Sequence, residues 1–417
     1  MSPIRLKRFL NIDTFIFCVI LALSDELTLS APKMDHIIKP RDLALIIPKD
    51  QAHSVPAFRQ GVKFGILPQS YFNKISSSFL DTQVGDAMRL ENTIDEWALV
   101  SLRVEPCAPL YPNIKNRDSL CWPEIRLVFQ PILKTKIKYQ GVFQNFFADD
   151  RNIHASYLIS PYSFLKSEKA SLADRYIEKL QTTNSLSSDE FKEFKNLRNY
   201  VSTEFLKETL LLRSNHIQPD EYDGFDMRPE YYDAIDAKIF TEKISNFLKR
   251  HAFLQRMHTL TAFSLPEGRT PTHTDHWVFK KFHLLSDQSL FEANITISHK
   301  NGRVFFEVGK SEASSMQKDD ERFYSKALTA KQKQMLSHHV VLDKDLDAKL
   351  LAKIANPNQF LVDHTSCASC HKLNPGEPAN FHSLSYFLNQ AQPTVSPRVV
   401  NDVTKNLKWI SENLDEI

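Results

Sequence analysis

The sequence predicts an α+β protein, in which an antiparallel sheet with packed helices is followed by a small all-helical C-terminal domain. Its 417 residues are enough for two or three domains. Strand-like segments come first, amphipathic helices follow, and strand-like alternation then returns, an order that favours α+β over a regular βαβ succession. Helical periodicity takes over after about residue 340.

The first 24 residues have the pattern of a secretory signal peptide. Arg5, Lys7 and Arg8 precede an apolar stretch over 15–23, and a small-x-small pattern ends at Ser24. The apolar stretch is about half the roughly 20 residues that cross a bilayer, which favours cleavage over retention as an anchor. The sequence therefore predicts export to the periplasm or another extracytoplasmic compartment, with no membrane span after cleavage.

Composition argues against several classes of function. The formal net charge is +2, and the leader alone carries three basic residues and one acidic residue, so the mature chain is formally neutral. A nucleic-acid-binding surface is therefore not indicated. The chain has only 9 Gly and contains no G-x-G-x-x-G or G-K-[ST] sequence, which argues against a dinucleotide or phosphate loop.

The first strands are predicted at 97–104, 125–130 and 155–159, where apolar and β-branched residues alternate with polar ones. Cys107 and Cys121 flank the loop between the first two strands. In an oxidising compartment this pair is expected to form a disulfide, worth about 3 kcal/mol for a loop of this length. A redox-active pair is the alternative, although such pairs usually have C-x-x-C spacing.

Helices and further strands follow. Apolar residues at steps of three and four predict helices over 163–181, over 187–213 and near 236–249. Alternation returns over 254–263 and 277–284. This succession of elements is what indicates the α+β class.

Asn301-Gly302 is the strongest hairpin signal of the chain, because both residues tolerate positive φ. It lies between strand-like runs at 291–297 and 304–308. The polar stretch that follows leads to a predicted boundary near residue 340, so the α+β domain spans 25–340 and the last domain 341–417.

Two amphipathic helices are predicted in the last domain. Leucine and isoleucine recur every four residues over 342–354, and Asn356-Pro357 ends that helix. The closing helix has Ser396 as N-cap and Pro397 in its first turn. Its apolar face consists of Val399, Val403, Leu407, Ile410 and Leu414.

The sequence Cys367-Ala-Ser-Cys370-His371 lies between these two helices. Two thiols at this spacing can each add to one vinyl group of a haem, and the adjacent imidazole can bind the iron from one face. This type of attachment takes place outside the cytoplasm, in agreement with the predicted export. The motif and the leader thus support each other.

On these three residues, the last 77 or so residues resemble the c-type cytochromes, with a helix on each side of the motif as in a small class I domain. The resemblance implies one covalently bound haem c, with Cys367 and Cys370 as the thioether cysteines and His371 as the proximal ligand. It also implies a redox partner protein. The large domain resembles no family.

The second axial ligand of such a haem is an open question. Class I cytochromes use a Met downstream of the motif, and no Met follows Met335 in this chain. His382 is the first candidate and His364 the second, because imidazole is a common haem ligand. A Met from the large domain and a five-coordinate iron are the alternatives for the distal side. His382 itself could instead be a surface residue at the start of a helix.

Several other interpretations stay open. Cys367 and Cys370 could instead bind zinc together with nearby histidines, or form a plain disulfide. The favoured function is single-electron transfer, with the large domain docking a partner, rather than catalysis. An enzyme or sensor that binds peroxide or a small gas at an open iron is the first alternative, and an exported binding or structural protein without haem is the second. The sequence does not indicate an oligomeric state.

Overall fold

The computed structural model describes residues 37–54, 66–80, 94–110, 119–135, 145–148, 152–183, 185–264, 278–285, 287–293, 296–300, 303–307, 355–357, 384–385 and 394–414. They form an α+β fold, as the order of strands and helices in the sequence predicts.

An antiparallel sheet of eight strands forms the centre of the fold. Hydrogen-bonded neighbours follow the order β1-β2-β3-β5-β6-β7-β8, and β4 pairs with the far end of β3. The strands are β1 (Ala44–Ile46), β2 (Trp97–Pro109), β3 (Cys121–Thr135), β4 (Asn145–Ala148), β5 (Asn152–Leu158), β6 (Met257–Ser264), β7 (Val278–Leu284) and β8 (Leu290–Ala293).

The predicted strands correspond to β2, β3, β5, β6 and β7. β2 and β3 are longer than predicted. They pair with each other from Trp97 opposite Pro131 to Pro109 opposite Cys121, and the last four residues of β3 pair with β4. A separate antiparallel pair is formed by β9 (Thr296–Lys300) and β10 (Arg303–Glu307), with Lys300 opposite Arg303. This pairing confirms the predicted hairpin.

Six helices accompany the sheet before residue 252 in the described ranges: α1 (Pro40–Leu43), α2 (Lys49–Ser54), α3 (Gln69–Leu80), α4 (Ser167–Thr183), α5 (Ser188–Leu210) and α6 (Ala234–His251). The last three confirm the predicted helices. A capping box of Ser187 and Glu190 begins α5, and the Asp233 carboxylate caps α6. No helix in the described ranges is long and apolar enough to cross a membrane.

The two faces of the central strands differ in chemistry, because successive side chains of a strand point to opposite faces. Leu102 of β2 lies opposite Leu127 of β3, and both are buried in the apolar core. The neighbouring pair, Arg103 and Arg126, lies on the other face. One face therefore builds the core, and the other carries charge.

The closing helix, α7 (Pro397–Asn413), begins as predicted, with the Ser396 hydroxyl accepting a hydrogen bond from the Val399 amide. Its location differs from the prediction of a separate haem domain. The apolar residues Val399, Val403 and Ile410 are buried in the same core as the central sheet. An apolar stripe shows that a helix packs, not against what, so this placement could not be derived from the periodicity.

The described residues of the predicted last domain also include a short extended segment. A short antiparallel pair, β11 (Leu384–Ser385) and β12 (Thr394–Val395), precedes α7. The β-branched Thr394 and Val395 favour extended backbone at this point. The boundary near residue 340, the helix over 342–354 and the leader all lie outside the described residues, so the domain division stays a prediction.

A buried group of ion pairs attaches the N-terminal segment to the loop between α5 and α6. The Arg228 side chain is 0% exposed, and its Nη2 lies 2.8 Å from Glu230 Oε1. Its Nη1 lies 3.5 Å from Asp42 Oδ1, and Arg213 pairs with the same Asp42 carboxylate. The Arg228 guanidinium also lies 4.8 Å from the ring centre of Tyr222.

Candidate functional site

The predicted haem residues lie outside the described part of the chain. This holds for the two cysteines and the adjacent histidine of the motif, and for both candidate distal ligands. Their predicted roles stay predictions. The residues concerned are Cys367, Cys370, His371, His382 and His364.

The described residues that flank 358–383 are both attached to the closing helix. On the N-terminal side, the Asn401 side-chain amide of α7 donates a hydrogen bond of 2.9 Å to the Ala355 carbonyl. On the C-terminal side, Leu384 of β11 pairs with Val395 of β12, which leads directly into α7. The stretch that contains the motif is thus joined to the large domain at both ends.

The predicted disulfide is confirmed. Cys107 and Cys121 are bonded, with their Cα atoms 4.9 Å apart, and the bond joins the end of β2 to the start of β3. The two residues are only 5% and 0% exposed. Outside the predicted leader, which contains Cys18, the two remaining cysteines of the sequence are Cys367 and Cys370.

Charged side chains on the polar face of the sheet form a continuous chain of contacts, which we call the polar network. Two of its members lie on β2 and two on β3, where strand alternation places them on the same face. One more lies on β6, and two lie on α7. Five of the seven are buried. The members, in order of contact, are Arg398, Asp402, Arg103, Glu105, Arg126, Glu124 and His258.

The first half of the polar network connects α7 to β2. Arg398 Nε lies 3.1 Å from Asp402 Oδ2, one helical turn further along α7. The same oxygen lies 3.3 Å from Arg103 Nη2, which in turn lies 2.8 Å from Glu105 Oε1. Arg103 is therefore the residue through which the closing helix contacts the charges of the sheet.

The second half runs across the sheet to β6. Glu105 Oε2 lies 3.3 Å from Arg126 Nη2, and Arg126 Nε lies 2.6 Å from Glu124 Oε1. The other oxygen of Glu124 lies 2.8 Å from His258 Nε2. Three guanidinium groups thus balance three carboxylates, and His258, about a third exposed, ends the network towards solvent.

Burial and neighbouring charges shift the pKa values of this region. Burial alone would raise the pKa of Glu124, but Arg126 and His258 outweigh it and lower the pKa to about 2. The pKa of the Arg126 guanidinium is raised: the carboxylates of Glu105 and Glu124 outweigh the effect of burial. Burial, with help from Arg126 and Arg103, lowers the pKa of His154 to about 4.

The chemistry of the polar network is that of a structural connection. Its carboxylates are already paired with guanidinium groups, and the described residues contain no cluster of three or more His, Cys, Asp or Glu side chains that could hold a metal ion. A largely buried network of ion pairs fixes the relative positions of the elements that contribute to it. Here it fixes α7, and with it the flanks of 358–383, on the sheet.

Sequence reasoning missed the polar network, although a signal for it is present. Arg103 and Glu105 are two residues apart in a mostly apolar strand, as are Glu124 and Arg126. Opposite charges at this spacing share one face of a strand, and their occurrence on two adjacent strands indicates a paired polar surface. The contribution of Asp402 has no comparable local signal.

The shifted pKa values predict a protein that loses stability in acid in two steps. The pKa of His154 is lower in the folded chain than its ordinary 6.5, so stability falls as the pH drops from 6.5 towards 4. We expect a loss of about 1 to 2 kcal/mol here, because His154 as a whole residue is only partly buried. Glu124 adds a second loss between pH 4.5 and about 2.

Chemical denaturation at a series of pH values measures this dependence. The variant His154→Gln is expected to lose the upper step and to keep the lower one. An unchanged slope between pH 6.5 and 4 in His154→Gln would show that another group causes the acid sensitivity.

Comparison of the chain with known proteins finds no match among protein families, among curated proteins or among solved structures. The candidate site is therefore interpreted from its own residues.

Proposed function

We propose that this chain is an exported c-type haem protein that transfers single electrons. The observation that carries the proposal is the C-x-x-C-H sequence at 367–371. Its donor set fits the cofactor, since two thiols can form thioethers with one haem and an adjacent imidazole can bind the iron. Bound haem would supply one-electron redox chemistry.

The described residues support the proposal in two ways. The disulfide uses Cys107 and Cys121, so Cys367 and Cys370 need no other partner among the cysteines of the mature chain. A structural disulfide also agrees with an oxidising compartment, where haem c is attached. Both findings agree with an exported haem protein.

In this proposal the chain's own residues have distinct roles. Cys367 and Cys370 hold the haem, and His371 binds the iron on its proximal side. His382 is the first candidate for the distal side, followed by His364. The large domain, which holds both flanks of the motif through α7, positions the haem and docks the redox partner protein.

Expression together with cytochrome c maturation machinery tests the proposal. We expect a haem-stained band on a denaturing gel, a c-type pyridine haemochrome spectrum, and an intact mass equal to the leaderless chain plus one haem. The double variant Cys367→Ser/Cys370→Ser is expected to lose essentially all covalent haem. The matched control is Ser369→Ala, which alters a residue between the two cysteines and keeps the motif, and it should retain full haem loading.

A colourless wild-type protein of normal yield, with an intact mass that lacks the haem, would overturn the proposal. The protein would then belong to the exported binding or structural proteins, with its cysteines in disulfides. Bound zinc in the same mass measurement, under non-denaturing conditions, would identify the metal-site alternative instead.

A second candidate function, a haem enzyme or sensor, is favoured by the lack of any Met after Met335. If no side chain occupies the distal position, the iron can bind peroxide or a small gas. The ferric spectrum separates the two functions. A low-spin iron supports electron transfer, and a high-spin iron supports chemistry at an open site.

A further inference from the structure

Arg198, in the middle of α5, is a buried cation next to the disulfide. Its Nη1 donates a hydrogen bond of 2.9 Å to the Ser119 carbonyl, just before β3. The same nitrogen lies 3.5 Å from the Cys121 sulfur. The guanidinium is therefore held by the segment that the disulfide fixes.

The other side of the same guanidinium faces the closing helix. Its Cζ lies 5.1 Å from the ring centre of Trp409 in α7, within the range of a cation–π contact. Arg198 Nε and Nη2 also donate to the Asn199 side-chain carbonyl, at 3.1 and 2.8 Å. Both nitrogens on this edge of the guanidinium thus orient Asn199.

Asn199 completes the connection to α7. Its side-chain amide donates a hydrogen bond of 2.8 Å to the carbonyl of Asn413, the last residue of the helix. That carbonyl lies in the last turn of the helix, where backbone acceptors have no partner within the helix. Arg198 and Asn199 together, which we call the clamp, thus contact the disulfide segment on one side and the end of α7 on the other.

We propose that the clamp is a redox-sensitive device, which holds the end of α7 firmly only while Cys107 and Cys121 are oxidised. A dithiol that reduces the bond gives two electrons and two protons to the two sulfurs and becomes a disulfide itself. Cys121 and Ser119 are then held against β2 by backbone pairing alone, without the covalent bond. The partners of Arg198 are less firmly fixed, and the support that the clamp gives to α7 weakens. This proposal is independent of haem binding.

Hydrogen–deuterium exchange of the full-length mature protein, followed by peptide mass spectrometry, tests the device. Reduction by dithiothreitol, verified by thiol alkylation, is expected to raise the exchange rate in peptides of 405–413 about tenfold. This is the effect expected from the loss of one or two hydrogen bonds or cation–π contacts between the clamp and α7. Peptides of α6, which the clamp does not touch, serve as the internal reference. The variant Cys107→Ser/Cys121→Ser provides the same comparison without a reductant.

The coupling is measured by repeating the reduction in clamp variants. In Arg198→Met and in Asn199→Ala, exchange at the end of α7 is expected to be fast already and to rise less than about twofold on reduction. The matched control is Asn196→Ala, which alters an exposed residue one turn before Asn199 on α5. It should respond to reduction like the wild type.

Two results would overturn the device. One is an equal response to reduction in wild type and clamp variants, which would mean that the disulfide affects α7 by another route. The other is an equal rise in α6 and α7, which would mean that reduction loosens the whole domain. A selective rise at 405–413 that disappears in the clamp variants supports the proposal.

Discussion

Replacing Arg228 with Met is expected to lower the free energy of unfolding by about 4 kcal/mol. The Arg228 guanidinium is fully buried between the carboxylates of Glu230 and Asp42, and its removal leaves Glu230 buried without a cation. Breaking a buried ion pair from one side is destabilising by about 3 to 5 kcal/mol, because the remaining charge has no compensation. Urea denaturation of the two proteins gives the difference directly.

Two further variants isolate the cause of this effect. Arg228→Met/Glu230→Gln removes the charge that the single variant leaves behind, so part of the lost stability should return. Lys179→Met breaks the partly exposed pair with Glu190 and should change stability by less than about 1 kcal/mol. A double variant no more stable than the single one would show that packing of Arg228 against Tyr222 and Phe240, and not charge, dominates.

Elements defined by local pattern could be predicted from the sequence. The alternation over 97–104 and the Asn301-Gly302 turn signal record how each segment folds with its immediate neighbours. The disulfide was also predictable, because Cys107 and Cys121 are only 14 residues apart, on adjacent predicted strands, in a chain with a predicted export signal. In each case the residues that determine the local structure lie within about 30 positions of one another in the sequence.

Long-range placement was not predictable for the opposite reason. Arg103 and Asp402 are 299 positions apart, and neither shows which charge it will meet. The apolar face of α7 is clear in the sequence, but the same face would fit a small haem domain or the large core equally well. The choice depends on which surface is available, and no local pattern encodes it.

The chemistry of the candidate haem site, unlike the long-range placement of the helices, could be predicted from local sequence. Cys367, Cys370 and His371 are adjacent in sequence, so their chemistry can be read without knowledge of the surrounding structure. The distal ligand cannot be read in this way, since His382 and His364 compete with side chains that any part of the fold could supply. The polar network and the clamp explain how the chain holds the flanks of the motif, not which group binds the iron.

The single variant Cys121→Ser is expected to lower covalent haem loading at least about twofold, if the proposed function is correct. The disulfide keeps the Cys107 and Cys121 sulfurs paired and buried, so that neither is a free thiol. Without Cys121, the free Cys107 thiol can pair with one haem-binding cysteine in the oxidising compartment before the haem is attached. The unpaired Cys107 is therefore the expected cause of the lower haem loading.

The double variant Cys107→Ser/Cys121→Ser separates this effect from simple instability. It lacks the disulfide, worth about 3 kcal/mol, but it has no odd cysteine, so its haem loading should exceed that of the single variant. Haem per polypeptide from the pyridine haemochrome, with peptide mapping under non-reducing conditions, measures both the loss and the mispaired product. Equal loading in the two variants, without a Cys107 cross-link, would show that burial of the disulfide does not protect the motif.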